Sequence, residues 1–393
     1  MRILFLPLIT RGSAIGTISR CLAISEILRE KGHSVSFVTG EPGIRHVEKA
    51  GFEYQIGPMP DPPGPLHPLH NLADVALFLN LTQESYVRRS FESELAAIDR
   101  FAPDILFSEF KLTAPISATR AELPLVSTAC TPAHPEFVSP LFPETGKDIN
   151  EAAKGFNHLL EEEGIPPVQD VAELFFMRSS LKIVPSAKEL EPLLQGIENL
   201  HYVGYLLYDR WERAPLPSSL LEAVTVPHLV FAYFSMGEIG PDKYVEVLPK
   251  AFDETEFHLV VATGAHPDLP LLPESSSNVS FFRMVPGISM LDRSDAVIFH
   301  GGQNTAMASL LHGVPSLVFP GSDFERDFNA RGMARIGASI HMKSEDFTPQ
   351  QIIQSVRRLV GGEYRKKASA HGQGLLQLGG PMRAADLILE AAA

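Results

Sequence analysis

The chain has 393 residues, 45% hydrophobic and 20% charged, which suits a globular protein of about two domains with apolar mass for two cores. A formal net charge of −14 without a long basic run argues against a nucleic-acid partner. The two cysteines, Cys21 and Cys130, exclude a disulfide scaffold and fit a reducing cytosol.

The chain opens on a continuous apolar run, residues 3–8, the pattern of a strand buried on both faces of a parallel sheet. This makes residues 1–10 a first strand rather than a signal peptide. No apolar run reaches the roughly 20 residues of a membrane-spanning helix, so no integral membrane association is expected. A loop with Gly12 and Gly16 follows, then Ile18, Leu22, Ile24, Ile27 and Leu28 at helical spacing, with Gly32 as the stop. Residues 35–38 read as the next strand, so the opening is a right-handed βαβ unit.

Residues 59–68 form a Pro-rich loop where a substrate rim could lie. Residues 71–101 read as helical. Within them 75–81 and Tyr86 suit either plain helix core or an aromatic or lipid-like acceptor. Strand 104–107, helix 113–120 and strand 125–128 continue the alternation. Residues 208–227, with three prolines, read as a linker. A second set follows, with strands at 229–234, 258–262, 279–282, 296–299 and 316–319 and helices at 244–252 and 306–311. A last helix covers 384–392. The expected fold class is α/β, two Rossmann-like domains facing across a cleft. The domains are 1–207 and 228–378, with 379–393 packing back on the first. Ligands of such sheets bind beyond the carboxyl ends of the strands. The sequence leaves the oligomeric state open.

One segment carries chemistry. Strand 296–299 runs into His300-Gly301-Gly302-Gln303-Asn304-Thr305 and then a helix. Paired glycines let backbone N–H groups approach a ligand, and the helix N-terminus favours an anion such as a phosphate. His300 and Thr305 flank the spot as further donors.

His300-Gly301-Gly302 with Thr305, then His312-Gly313-Val314-Pro315, resembles the donor-binding motif of glycosyltransferase family 1, a family of the GT-B fold. Gly32-His33, Thr263-Gly264, Val285-Pro286, Asn329-Ala330-Arg331 and Gly379-Gly380 with Ala384-Ala385-Asp386 fall in that family's order and spacing. The first loop with Arg20-Cys21-Leu22 also resembles related peptidoglycan-type transferases and nucleotide-sugar hydrolases. The resemblance implies transfer of a sugar, with inversion, from a nucleotide diphosphate donor such as a UDP- or TDP-sugar to a small-molecule acceptor. The nucleotide-sugar is then a co-substrate; no cofactor and no metal are implied. The resemblance places the diphosphate on His300 and Thr305 with Gly301, Gly302, Gln303 and Asn304. It places the base along Met284 and Val285, the sugar hydroxyls on Glu325, and Arg326 beside them for an acidic sugar or as a partner of Glu325. Ser235 and Gly237 would also serve the donor. Gly16 lies on the acceptor side with Arg11 and Arg20, either of which suits an anionic acceptor or the leaving diphosphate, while Arg20, inside the first helix, equally suits a structural salt bridge.

Three positions depart from the family pattern. Thr17 stands where relatives carry a histidine base, and losing a general base typically lowers a rate on the order of 10²–10⁴-fold. Ala308 replaces a ribose-binding glutamate. Glu238 replaces a hydroxyl residue near the diphosphate, and it is expected to point away from it. Glu109, where an Asp normally orients the missing histidine, is then a carboxylate without its usual partner and a candidate base, its pKa raised by a poorly solvated site. His134 is a second candidate. Two other readings stay open: a nucleotide-sugar hydrolase or epimerase, and a catalytically degenerate copy that binds a ligand or partner.

Overall fold

Runs of buried Ile, Leu, Val and Phe make the strands, and helices that cover both faces of each sheet complete two layered units. The computed structural model describes the chain apart from residues 11–14, 63, 65–68, 144–148, 177, 209, 211–212, 235–237, 265–268 and 393, and only the backbone of 15, 149 and 150. Its two compact units are Met1–Leu207 with Leu378–Ala393, and Tyr208–Gln377.

The first unit runs β1 (Arg2–Pro7), α1 (Ile15–Glu30), β2 (Ser34–Thr39), α2 (Glu41–Lys49), β3 (Glu53–Ile56), α3 (Leu72–Phe78) and α4 (Glu84–Phe101). It continues through β4 (Ile105–Glu109), α5 (Ala114–Arg120), β5 (Leu125–Thr128), α6 (Ile149–Glu162), α7 (Glu173–Phe176), β6 (Leu181–Val184) and β7 (Leu200–Tyr202). The strands form one sheet in the order β3-β2-β1-β4-β5-β6-β7, paired in parallel throughout. The chain builds outward from β1 to β3, then returns to lay β4 against the other edge of β1. The carboxyl ends of β1 and β4 therefore flank the crossover, where ligands of open parallel sheets bind.

The second unit runs α8 (Ser218–Ala223), β8 (His228–Tyr233), α9 (Pro241–Phe252), β9 (Phe257–Ala262), β10 (Val279–Phe282), α10 (Gly287–Leu291), β11 (Ala296–Phe299) and α11 (Gln303–Leu311). It ends with β12 (Ser316–Val318), α12 (Phe324–Arg335), β13 (Ser339–His341), α13 (Pro349–Val360) and α14 (Glu363–Gln377). Its sheet has the order β10-β9-β8-β11-β12-β13, also parallel, with the crossover between β8 and β11.

The last helix, α15 (Gly380–Ala391), belongs to the first unit. Gly380 N donates to the Val203 carbonyl at 2.7 Å, Lys31 pairs with Asp386 at 3.0 Å, and Ala384, Ala385 and Ile388 are buried. With the sheet on one side and α15 on the other, α1 is apolar around most of its circumference. Ile18, Cys21, Leu22, Ile24 and Leu28 are all buried.

Two sequence expectations need correction. Residues 71–101 are not one helix: α3 ends before Asn80, which turns through a left-handed φ of 56°, and α4 starts afresh at Glu84. Asn tolerates that conformation better than most residues, so the apolar periodicity continues across a break it does not reveal. Residues 208–227 are not plain linker, since they contain α8 with Leu220 buried. Short elements such as β3 and β7, with partly exposed patterns, carry too little periodicity to be read.

Candidate active site

In the second unit β11 ends at Phe299, beside the β8/β11 crossover, and the chain turns through His300, Gly301 and Gly302 into α11. Gly301 has φ 90°, and a Cβ there would lie 2.7 Å from the Arg326 carbonyl oxygen. The first turn of α12 therefore packs directly over the glycine, and Asn329 Nδ2 donates to the Gly301 carbonyl at 3.0 Å. Gly302 is extended and caps α11, with the His300 ring folded against it. The turn thus presents the N-terminus of α11, the end of a helix whose dipole favours negative charge. Gln303 is buried there, and Asn304 and Thr305 are half-buried.

His300 is nearly enclosed. Burial, with the charge of Arg326 as a second cause, holds its pKa down to about 3, while a hydrogen bond to the Tyr233 backbone opposes the shift. At neutral pH the ring is uncharged.

Asp323 caps α12, accepting from the N–H groups of Glu325 and Arg326, both at 3.0 Å. The sequence reading missed it, although Asp ahead of a helical turn is a capping signal. Its carboxylate also lies 3.7 Å from Arg326 Nε, so Asp323 is a partner of Arg326 that the sequence did not indicate. The Glu325 side chain is exposed. Glu238 is exposed as well and accepts from the Ser322 hydroxyl at 2.9 Å, in the loop between β12 and α12.

In the first unit a buried ion pair lies at the carboxyl end of β4. Arg20, in the second turn of α1, reaches Oε1 of Glu109, the last residue of β4, through both Nε and an Nη at 2.6 Å. Glu109 is wholly buried. Burial pushes its carboxyl up, and the Arg20 guanidinium opposes that shift. Glu109 lacks the histidine partner of the family pattern and is paired instead with Arg20, 89 residues away in sequence. Thr17, one turn before Arg20, donates its hydroxyl to the Leu8 carbonyl at 3.1 Å.

His134 caps a short 3₁₀ turn after β5. Its Nδ1 accepts from the backbone N–H of Glu136 at 3.1 Å, and its ring meets Phe176 edge-on. With Nδ1 accepting, the neutral ring carries its proton on Nε2, which then donates rather than accepts. That arrangement does not present a base. Tyr86 and the stretch 75–81 serve the core. Ala76, Leu81 and Tyr86 are buried in a cluster of α3, α4 and α6 residues, and Tyr86 Oη accepts from the buried Lys111 at 3.1 Å.

The comparisons with known proteins bear on this geometry. The family described as erythromycin biosynthesis protein CIII-like, C-terminal domain, matches residues 250–377, which hold both the His300 turn and α12. The NDP-glycosyltransferase YjiC of Bacillus subtilis (strain 168) is 25% identical over 348 residues, 88% of this chain and 86% of its own length. The calicheamicin glycosyltransferase CalG4 superposes with a TM-score of 0.76 at 21% identity, covering 99% of this chain and 98% of that one. The spinosyn rhamnosyltransferase SpnG, solved with thymidine diphosphate, superposes with a TM-score of 0.71 at 16% identity, covering 98% and 99%.

The chain is a GT-B glycosyltransferase.

Within this glycosyltransferase the predicted donor residues divide into two places. His300 to Thr305 meet Glu325 and Arg326, because α12 packs on the Gly301 turn. Met284, 69% exposed, and Val285 follow β10 at the sheet edge, with β9 and β8 between them and β11. Ala308 is buried within α11. Gly16 lies in the first turn of α1. Arg11, Ser235 and Gly237 lie outside the described residues. Among the described residues, no helix is long and apolar enough to cross a membrane.

The depressed pKa of His300 makes the glycosyltransferase sensitive to acid. Between about 3 and the ordinary value of 6.5 the unfolded chain binds a proton at this position and the folded chain does not. Stability therefore rises with pH across that window and is lost as pH falls below 6.5. At pH 5 the expected loss through this group is about 2 kcal/mol. Urea unfolding of the wild type and of His300→Gln at pH 7 and pH 5 measures it. The wild type should lose about 2 kcal/mol more than the variant, and equal losses would remove the assignment.

Proposed function

We propose that this glycosyltransferase moves a sugar from a UDP- or TDP-linked donor to a small-molecule acceptor of secondary metabolism, with inversion at the anomeric carbon. The observation that carries the reading is the His300-Gly301-Gly302 turn, which delivers the N-terminus of α11 to the β8/β11 crossover. The donor diphosphate sits on that helix end, with Thr305 and His300 beside it. The neutral His300 ring supplies a hydrogen bond to the diphosphate as the negative charge of the leaving group grows. Glu325 accepts hydrogen bonds from the sugar hydroxyls, and Met284 and Val285 border the nucleobase. A donor carrying thymidine diphosphate is supported by SpnG, which was solved with that nucleotide, and an aglycone acceptor by the structure of SpnG with spinosyn aglycone. The first unit holds the acceptor. Transfer is a single in-line displacement whose rate depends on positioning the acceptor oxygen, the anomeric carbon and the leaving phosphate.

The test is a thermal-shift series with UDP, TDP and GDP at millimolar concentration. A ligand that binds only the folded state raises the melting temperature by mass action, about 2.7 kcal/mol of added stability at a hundredfold excess over Kd. One nucleotide should give a clear shift, and His300→Ala should abolish it. Absence of any shift with all three would remove the donor assignment.

A further inference from the structure

We infer that His70, oriented by Asp74, is the general base that takes the proton from the acceptor hydroxyl in this glycosyltransferase. The inference rests on the reading that the first unit holds the acceptor.

The pair is built into the start of α3. Asn71 caps that helix, its side chain accepting from the Asp74 N–H at 3.0 Å. The Asp74 carboxylate then turns back on the residue before the cap. Its Oδ2 accepts from the backbone N–H of His70 at 3.0 Å and meets the ring Nδ1 at 2.6 Å. A carboxylate only accepts, so Nδ1 carries the hydrogen and the lone pair of the neutral ring is on Nε2. This is the reverse of His134, whose Nδ1 accepts from a backbone N–H. The side chains of His70 and Asp74 keep 28% and 19% of their surface exposed, so the pair lies at the surface of the unit.

Its place in the fold is the ligand end of the sheet. His70 stands on the segment between β3 and α3, and its ring meets Phe142, on the segment after β5, edge-on at 4.2 Å between centroids. Three strands, β2, β1 and β4, lie between β3 and β5. Helix α3 shares an apolar cluster with Leu8 and Phe110, the residues that follow β1 and β4. The His70–Phe142 contact therefore spans the carboxyl ends of the central strands, at the crossover where ligands of open parallel sheets bind. Leu8 also accepts from Thr17, which stands where the family pattern puts its histidine base. Two further His–Asp contacts, His228–Asp295 and His312–Asp292, lie at the amino ends of β8 and β12, opposite the ligand end.

In the reaction Nε2 takes the hydrogen of the acceptor hydroxyl, and the freed oxygen lone pair forms the bond to the anomeric carbon. The bond from that carbon to the diphosphate oxygen breaks, and its electron pair leaves with the nucleoside diphosphate. Asp74 is a positioning residue: it fixes the tautomer and offsets the charge of the imidazolium.

The experiment follows glucosyl transfer at pH 8 from UDP-, TDP- or GDP-glucose, whichever nucleotide gives the thermal shift, to 2-naphthol and to 2-naphthalenethiol. The naphthol must give up a proton, whereas the thiol is already ionised in solution. In His70→Gln the ratio of naphthol to thiol rates should fall roughly 10²–10⁴-fold. In Asp74→Leu the ratio should fall roughly tenfold or more, and imidazole nitrogen NMR should show the His70 hydrogen moved from Nδ1 to Nε2. An unchanged ratio in either variant, a wild-type ring that carries its hydrogen on Nε2, or a wild type that shows the nucleotide shift and leaves the naphthol unglucosylated would each overturn the inference. The nucleotide thermal shift is read on all three proteins. Its presence in all, with an unchanged ratio, means that the donor reading stands and the base falls. Its absence in the wild type means that the donor reading has failed.

Discussion

Arg20→Ala is expected to destabilise the first unit by about 3–5 kcal/mol, because it leaves the Glu109 carboxylate buried without its counter-charge. A carboxylate in that position escapes the cost only by taking up a proton. Burial already raises the Glu109 pKa, and removing Arg20 removes the main opposing cause. The folded variant then binds a proton that the unfolded chain releases above the ordinary carboxyl range. Its stability therefore falls as pH rises through the raised folded-state pKa, the reverse of the His300 effect. The loss should be largest at pH 8 and smaller at pH 5, as read by urea unfolding at both values. Arg20→Gln/Glu109→Gln should recover most of the stability, since removing both charges of a buried pair is often nearly neutral. A single variant as stable as the wild type at pH 8 would show that the pair does not form.

The second large effect is expected at Gly301. Alanine there must adopt φ 90°, and its Cβ would lie 2.7 Å from the Arg326 carbonyl oxygen, a backbone atom that moves only with α12. The backbone strain costs roughly 1–3 kcal/mol and the overlap a further 1–3. Gly301→Ala should thus lose about 2–6 kcal/mol in denaturant titration. Because relief requires α12 to shift, the variant should also lose the nucleotide thermal shift. Retention of both stability and the shift would mean that the turn is not the tight junction described.

The two sites were not equally legible in the sequence. The His300 turn is local: strand, two glycines and helix are contiguous, so β11, the turn and α11 follow from hydrophobic runs and glycine chemistry alone. What α12 does there is less local. Asn329 reaches back to Gly301, and the Asp323 cap orients Glu325 and Arg326 only once β12 lies beside β11. Glu238 is a similar case. Its hydrogen bond to Ser322 joins the loops after β8 and β12, two strands brought near one another by the intervening β11.

By itself the sequence determined the element types and the parallel character of both sheets, because strands buried on two faces must be apolar throughout. It also determined the strand, Gly-Gly turn and helix around His300, because these pieces are contiguous in the chain. Only the tertiary structure decided the partner of Glu109. That carboxylate is matched by Arg20 because β4 returns to pair with β1, in register from Ile3↔Ile105 to Pro7↔Glu109. Tertiary contacts likewise closed α15 over α1. Each of these is a pairing of distant polar or apolar groups, set by strand order and burial, and strand order leaves no signature in local periodicity.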